Sequence, residues 1–174
     1  MTAMCFARSY GAGAKGRVTA LVLAWALSLF AVLTAVVPAA RAETPVVASE
    51  RVEVVTARAR TPFAVEVVDT DESRSRGLMF RRTMADDHGM LFDFRREEPV
   101  WFWMKNTYLP LDMIFARADG TIISVAHDAE PLSEALVPSN GPVRFVLEVN
   151  AGVAARLGLA PGDRLVHPRI RVAP

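Results

Sequence analysis

From Glu43 onward this sequence predicts an α+β, β-rich domain: a mainly antiparallel curled sheet or small barrel with two or three short helices. Three observations lead there. About seven short runs rich in Val, Ile, Leu and Phe follow one another more than they alternate with helical stretches. Turn residues such as Asp119-Gly120 and Pro161-Gly162 separate them. Helical character is confined to short spans around 70–77, 82–87 and 151–159.

The chain begins with a segment that is not part of that domain. Arg8, Lys15 and Arg17 make a basic start, and 18–37 carries no charge and is dominated by Leu, Val and Ala. Ala40-Arg41-Ala42 then offers a small-x-small cleavage site, so 1–42 reads as a signal peptide and the mature chain as starting at Glu43. The basic leader suits the cytoplasmic side during insertion. The apolar run is also close to the roughly 20 residues that span a bilayer. An uncleaved N-terminal membrane anchor is therefore the alternative, with membrane contact through this segment alone. Cys5 lies upstream of the apolar run and is badly placed to be a lipid-modified first residue. The expected location is periplasmic or extracellular.

The formal charge of the whole chain is +1, but the leader holds Arg8, Lys15, Arg17 and Arg41 and no acid. That leaves 16 of the 20 cations against all 19 acids after Ala42, a net charge of −3. A mildly acidic exported domain gives no electrostatic case for nucleic acid. Cys5 is the single cysteine, so beyond Ala42 disulfides, cysteine zinc sites and thiol catalysis are excluded. The core must hold the domain together, and the 132 residues from Glu43 to Pro174 suffice for a linker and one domain, 51–174, with a real core.

Residues 43–50 read as a linker. The Val-rich runs 51–57 and 61–69 read as two strands able to form a hairpin. Residues 70–77 read as a short helix: Thr70 caps it, Asp71 and Glu72 fall in the first turn, and Arg74 and Arg76 in the last. Gly77 is the expected left-handed stop, with Leu78 folding back onto the core. A second helical turn is expected over 82–87. Strands follow at 89–94, 100–105 and 111–118. Asp119-Gly120 turns into another at 121–126. Residues 130–142 carry three prolines and no clear period, and read as a long loop. A strand at 143–149 leads to a helix over 151–159, with Asn150 as its cap and Gly158 or Pro161-Gly162 as its stop. Residues 163–172 close the chain as one or two strands.

Several motifs fall in order along this plan. They are Arg76-Gly77-Leu78-Met79-Phe80-Arg81, Gly89-Met90-Leu91-Phe92-Asp93-Phe94, Trp103-Met104-Lys105-Asn106-Thr107, Pro110-Leu111-Asp112-Met113-Ile114-Phe115, and Val146-Leu147-Glu148-Val149-Asn150-Ala151-Gly152 with Gly162-Asp163. Together they resemble the domain of unknown function 192 family over about 51–167. The resemblance implies a small, single, β-rich domain, often found behind an export signal. It implies no activity. Many relatives carry a Cys-Pro pair in the loop before the last long strand, where this chain has Leu136-Val137-Pro138-Ser139.

The candidate site lies in 101–112. Lys105 is the only lysine after Ala42. An ammonium is a compact point charge whose pKa moves readily on burial, unlike a guanidinium. On a strand over 100–105, Trp101, Trp103 and Lys105 share one face, and Val100, Phe102 and Met104 the other. The first face reads either as a packed second layer with Lys105 snorkelling out, or as an aromatic cleft ending in the Lys105 ammonium and the Asn106 amide. A cleft of that kind suits a small polar or carbohydrate-like ligand, since flat rings stack and the polar end orients. Asp112, among apolar neighbours, is a turn cap, a functional carboxylate or a partner for Lys105. The Lys105–Asp112 pair is the economical expectation.

Other constellations carry less. Asp93 and Glu148 are each expected on the polar face of a half-buried strand, and their spacing does not bring them together for acid–base work. His88, His127 and His167 are scattered, leaving only a weak pairing of His127 with Asp128. Met79, Met84, Met90, Met104 and Met113 could bind Cu(I), but irregular spacing among aromatics favours core filling. Neither metal nor cofactor is expected.

Three functions fit. The first is an exported binding or accessory module using Trp101, Trp103, Lys105, Asn106 and Asp112 for a small polar or carbohydrate ligand, or a partner in the envelope. The second is an envelope hydrolase or lyase using Lys105 or Asp112 with Asp93 or His127. The third is a structural module with no ligand site. A binder needs an open aromatic cleft, an enzyme two titratable groups within reach of each other and of a cavity, and a structural module neither.

Overall fold

The computed structural model describes residues 49–171. The leader, its cleavage point and most of the 43–50 linker lie outside the described residues.

Strands β1 (Glu50–Val55) and β2 (Arg60–Val68) form the expected hairpin, with Val52 opposite Phe63. Thr56 builds the turn: its N–H donates to the Ala59 carbonyl, and its hydroxyl accepts from the Arg58 and Ala59 N–H groups. Alternation sends Val52, Val54, Phe63 and Val65 inward. Helix α1 (Asp71–Arg76) is the short helix foreseen in 70–77. The Thr70 hydroxyl accepts from Ser73 N–H while the Ser73 hydroxyl accepts from Thr70 N–H, a reciprocal cap. Gly77 stops the helix at φ 46°, and Leu78 is buried against the sheet. This excursion lets β3 (His88–Phe102) return parallel to β2, which a tight turn cannot do.

The remaining strands are β4 (Leu111–Ala116), β5 (Ile122–Ala129), β6 (Val137–Asn150) and β7 (Arg164–Val166), with helix α2 (Val153–Leu157) before the last. The sheet runs β5-β4-β6-β3-β2-β1-β7 and is antiparallel except between β2 and β3. Its two outer strands curl towards each other. Thr121 pairs with Arg164, Ile122 N–H donates to Asp163 O at 2.8 Å, and Leu165 N–H donates to Gly120 O at 2.8 Å. Gly120 holds φ 86° at that seam, and a Cβ there would lie 2.2 Å from the Leu165 carbonyl oxygen. No side chain fits.

The curl encloses one apolar layer, containing Val52, Val65, Leu91, Ile114, Phe145 and Leu147. A second layer, with Met90, Phe92, Met104, Met113, Phe115 and Val146, covers the other face of the central strands. Both faces of β4 are therefore buried, and all six of its residues are inside. Three of the five clustered methionines, Met90, Met104 and Met113, are fully buried in this second layer, filling core among aromatic rings.

Several elements differ from expectation. No helical turn forms over 82–87, because the Asn150 amide takes the Met84 carbonyl that a helix would use. Asn150 thus does not cap α2, whose N-cap is Gly152. Residues 89–94 and 100–105 are not two strands but one bent strand, β3, which ends at Phe102. Its register against β6 breaks between Asp93 and Glu98 and again between Pro99 and Trp101. The loop expected over 130–142 is shorter, since β6 begins at Val137. The prolines are accommodated by irregular pairing, with Pro99 opposite Pro142 and the Ser139 hydroxyl accepting the Val100 N–H in place of a ladder bond. Of the one or two strands expected over 163–172, only β7 forms among the described residues.

Candidate functional site

Trp101 and Trp103 stand on the outer side of the second apolar layer, 61% and 45% exposed. Backbone alternation puts them there. Val100 and Met104 point inward and are buried, while Phe102 sits between edge-to-face contacts with Phe92 at 5.1 Å and Phe115 at 6.0 Å. The alternation outlasts the strand, because Met104 N–H donates to Ser133 O and Leu132 N–H to Thr107 O, tying the 103–107 turn to the 130–136 loop.

The two tryptophans form one wall of a cleft of about 440 Å³. Phe94 and Phe102 continue the aromatic lining, and residues of α1 with Gly77 and Met79 also line it. The Arg74 guanidinium is spoken for. It donates to the carbonyls of Asp69 and Asp93, pairs with Asp71 and stacks on the Phe94 ring at 5.1 Å. Asp71, Arg76 and Glu98 stand around the mouth, so charges of both signs meet there.

Glu148 lines the same cleft and is 4% exposed. It lies on β6 between Met90 of β3 and Met113 of β4, its partners across the two ladders. Among the described residues nothing pairs with its carboxyl, and burial pushes its pKa up to about 8. At neutral pH it is mostly the neutral acid.

The other expected site residues divide. Lys105 does not line the cleft: its ammonium lies 5.1 Å from the centre of the Trp103 ring and 3.6 Å from a Glu134 carboxylate oxygen. Asn106 turns the chain at φ 56°, and its amide reaches the Met79 sulfur at 3.9 Å. Trp101 and Trp103 therefore line the cleft, whereas Lys105 touches it only through Trp103 and Asn106 only through Met79. Asp112 does not line it. It is 0% exposed, and its carboxylate accepts the Asp128 N–H at 2.9 Å and the Ala154 N–H at 2.8 Å. The expected Lys105–Asp112 pair does not form, because Asp112 is fully used in fastening β5 and α2 to the sheet. Asp112 and His127 line a separate cavity beside α2.

Asp93 and Glu148 are both buried rather than on a polar face. Burial opposes ionisation of Asp93, but the Arg144 guanidinium at 2.9 Å and the Arg95 N–H hold its pKa below the ordinary carboxylate value. Glu148 has no such compensation. Its position in the cleft was the feature that residue spacing missed. The signal was there in Phe145-Val146-Leu147-Glu148-Val149, an apolar run broken by one acid, which marks a strand buried on both faces.

A family model described as DUF192, uncharacterized ACR, matches residues 53–167. The chain is similar to a solved protein from Sinorhizobium meliloti described as a candidate transcription regulator. Identity is 52%, coverage is 70% of this chain and 95% of that one, and the TM-score is 0.68. It is also similar to a solved protein of unknown function from Novosphingobium aromaticivorans. There identity is 39%, coverage is 68% of this chain and 84% of that one, and the TM-score is 0.66. No curated protein matches the chain.

Proposed function

The chain belongs to the DUF192 family, uncharacterised by its own description, and from that premise we propose that this member is an exported binding or accessory module for a small polar or carbohydrate-like ligand in the cell envelope. One observation carries the reading: two exposed tryptophans wall a cleft of about 440 Å³ with an unpaired carboxyl at its inner end. The volume lies within the roughly 300–1,000 Å³ of small-molecule sites. An aromatic wall with few polar groups stacks flat faces and leaves orientation to the polar contacts. Location in the envelope rests on the basic-apolar-small pattern of 1–42.

The hydrolase or lyase reading has less support. Lys105 faces Glu134, Asp112 is engaged by two backbone N–H groups, and Asp93 is paired with Arg144. The regulatory description of the Sinorhizobium meliloti protein is not carried over, since a net charge of −3 supplies no attraction to nucleic acid.

The test is a melting-point screen of the purified protein against glucose, N-acetylglucosamine and cell-wall fragments. A ligand at a hundred times its dissociation constant stabilises the folded state by about 2.7 kcal/mol. The expected rise disappears in Trp101→Ala and Trp103→Ala. A screen with no rise, or a rise that both variants retain, refutes the reading.

A further inference from the structure

We propose that the Glu148 carboxyl is the ligand-reading contact at the deep end of the cleft, and that it selects an uncharged oxygen, a hydroxyl or carbonyl of a sugar-sized molecule, over an ammonium or a carboxylate. This rests on the cleft reading above and names the chemistry the cleft accepts.

The argument starts from position. Glu148 is the one acid in the run Phe145-Val146-Leu147-Glu148-Val149, on β6, an interior strand between β4 and β3. Its flanking partners are Met90 and Met113, buried thioethers with no N–H or O–H to offer. A polar group in such a place is costly unless it finds a hydrogen bond. Among the described residues it finds none, although it opens onto the cleft. A ligand entering between α1 and the tryptophan wall meets this group as the unsatisfied partner at the end of its path. Asp93 shows the contrast. It is an equally buried acid on the neighbouring strand, but Arg144 and the Arg95 N–H satisfy it completely.

The selected charge follows from the surroundings. A neutral carboxyl has one O–H to donate and a carbonyl oxygen to accept, which matches a hydroxyl or a carbonyl. Burial holds Glu148 in that neutral form at pH 7. A ligand carboxylate would bring a second acid charge beside it without a cation to balance either. A ligand ammonium can donate to the Glu148 carbonyl oxygen, but it gains an ion pair only by ionising Glu148 between two thioethers and must itself be desolvated, and the charged groups facing the cleft do not assist. Arg74 is consumed by Asp71 and two carbonyls, Glu98 is paired with Arg96, and Arg76 stands at the mouth with the same sign as the ammonium. An uncharged hydroxyl or carbonyl avoids both costs and satisfies Glu148 directly.

The experiment uses four probes built on the same pyranose ring: glucose, N-acetylglucosamine, glucosamine and glucuronate. Each is titrated by calorimetry at pH 7 into the purified full chain and into Glu148→Gln, Glu148→Leu and Trp101→Ala. The neutral sugars are expected to bind more tightly than glucosamine or glucuronate. Glu148→Gln keeps a donor and an acceptor and is expected to retain binding within about threefold, whereas Glu148→Leu loses about tenfold or more. Glu148→Leu removes an unpaired buried acid, so its melting point is expected to match or exceed that of the parent, which separates lost binding from lost folding. Tighter binding of glucosamine with proton release, seen as a dependence on buffer ionisation enthalpy, overturns the proposal and leaves the cleft reading standing. Unchanged affinity in Glu148→Leu with loss in Trp101→Ala does the same. Binding by none of the four probes overturns the proposal and, with a blank melting screen, the cleft reading as well.

Discussion

Replacing Glu148 with Gln is expected to change how stability depends on pH, without any ligand present. The folded protein holds the Glu148 proton up to about pH 8, whereas the unfolded chain gives it up near the ordinary glutamate value of 4.5. Because the folded pKa is the higher one, the proton's contribution to stability is fully present below pH 4.5 and is lost as pH rises through 8. Between those limits the folded state binds one more proton than the unfolded state. Stability therefore falls by about 1.4 kcal/mol per pH unit from this group, and by about 5 kcal/mol across the whole window. Gln has no proton to lose, so Glu148→Gln lacks this slope. Other groups slope the opposite way. Asp93 and Glu66 have lowered pKa values through Arg144 and Arg81, and His167 is lowered by burial, so all three favour the folded state as pH rises. They are common to both proteins and cancel in the difference. The assay is urea unfolding of parent and variant at pH 5, 6, 7, 8 and 9. The parent-minus-variant difference is expected to fall by several kcal/mol between pH 5 and 8 and then level off. A flat difference would mean that Glu148 is ionised in the folded protein, and would refute the account of a buried acid without a partner.

Asp112→Ala removes the acceptor of the Asp128 and Ala154 N–H groups, and is expected to destabilise by about 2–4 kcal/mol in denaturant melts. Lys105→Met, by contrast, disturbs only a half-exposed pair with Glu134, and stability is expected to stay within about 1 kcal/mol; a large loss would revive a buried partner for Lys105. Gly120→Ala forces a Cβ against the Leu165 carbonyl at positive φ, and is expected to cost more than about 2 kcal/mol by urea midpoint. N-terminal sequencing of the envelope fraction is expected to begin at Glu43, and a full-length membrane-embedded product would overturn the signal-peptide assignment.

Local patterning was enough to read much of this protein. Alternating Val-rich runs predicted the β1–β2 hairpin, and Thr70 with Gly77 bracketed α1, because caps and alternation act over a few residues and are written in adjacent positions. That Trp101 and Trp103 share a face also followed from alternation, even though β3 stops at Phe102, but whether that face is packed or open did not. Pairing between distant residues was decided only by the tertiary structure. Asp112 had three roles open to it, and the approach of Asp128 and Ala154 chose among them. Residues 137–142, at the end of the stretch 130–142, carry prolines that argue for a loop. They become strand because β3 lies alongside and Ser139 replaces a missing ladder bond. Glu148 shows the division most clearly. Its neighbours in sequence mark the strand as buried, but one face of that strand opens onto a cleft formed by α1 and the tryptophan turn. Whether a buried acid meets an arginine, as Asp93 does, or an empty cleft, depends on which distant segments the sheet brings across it.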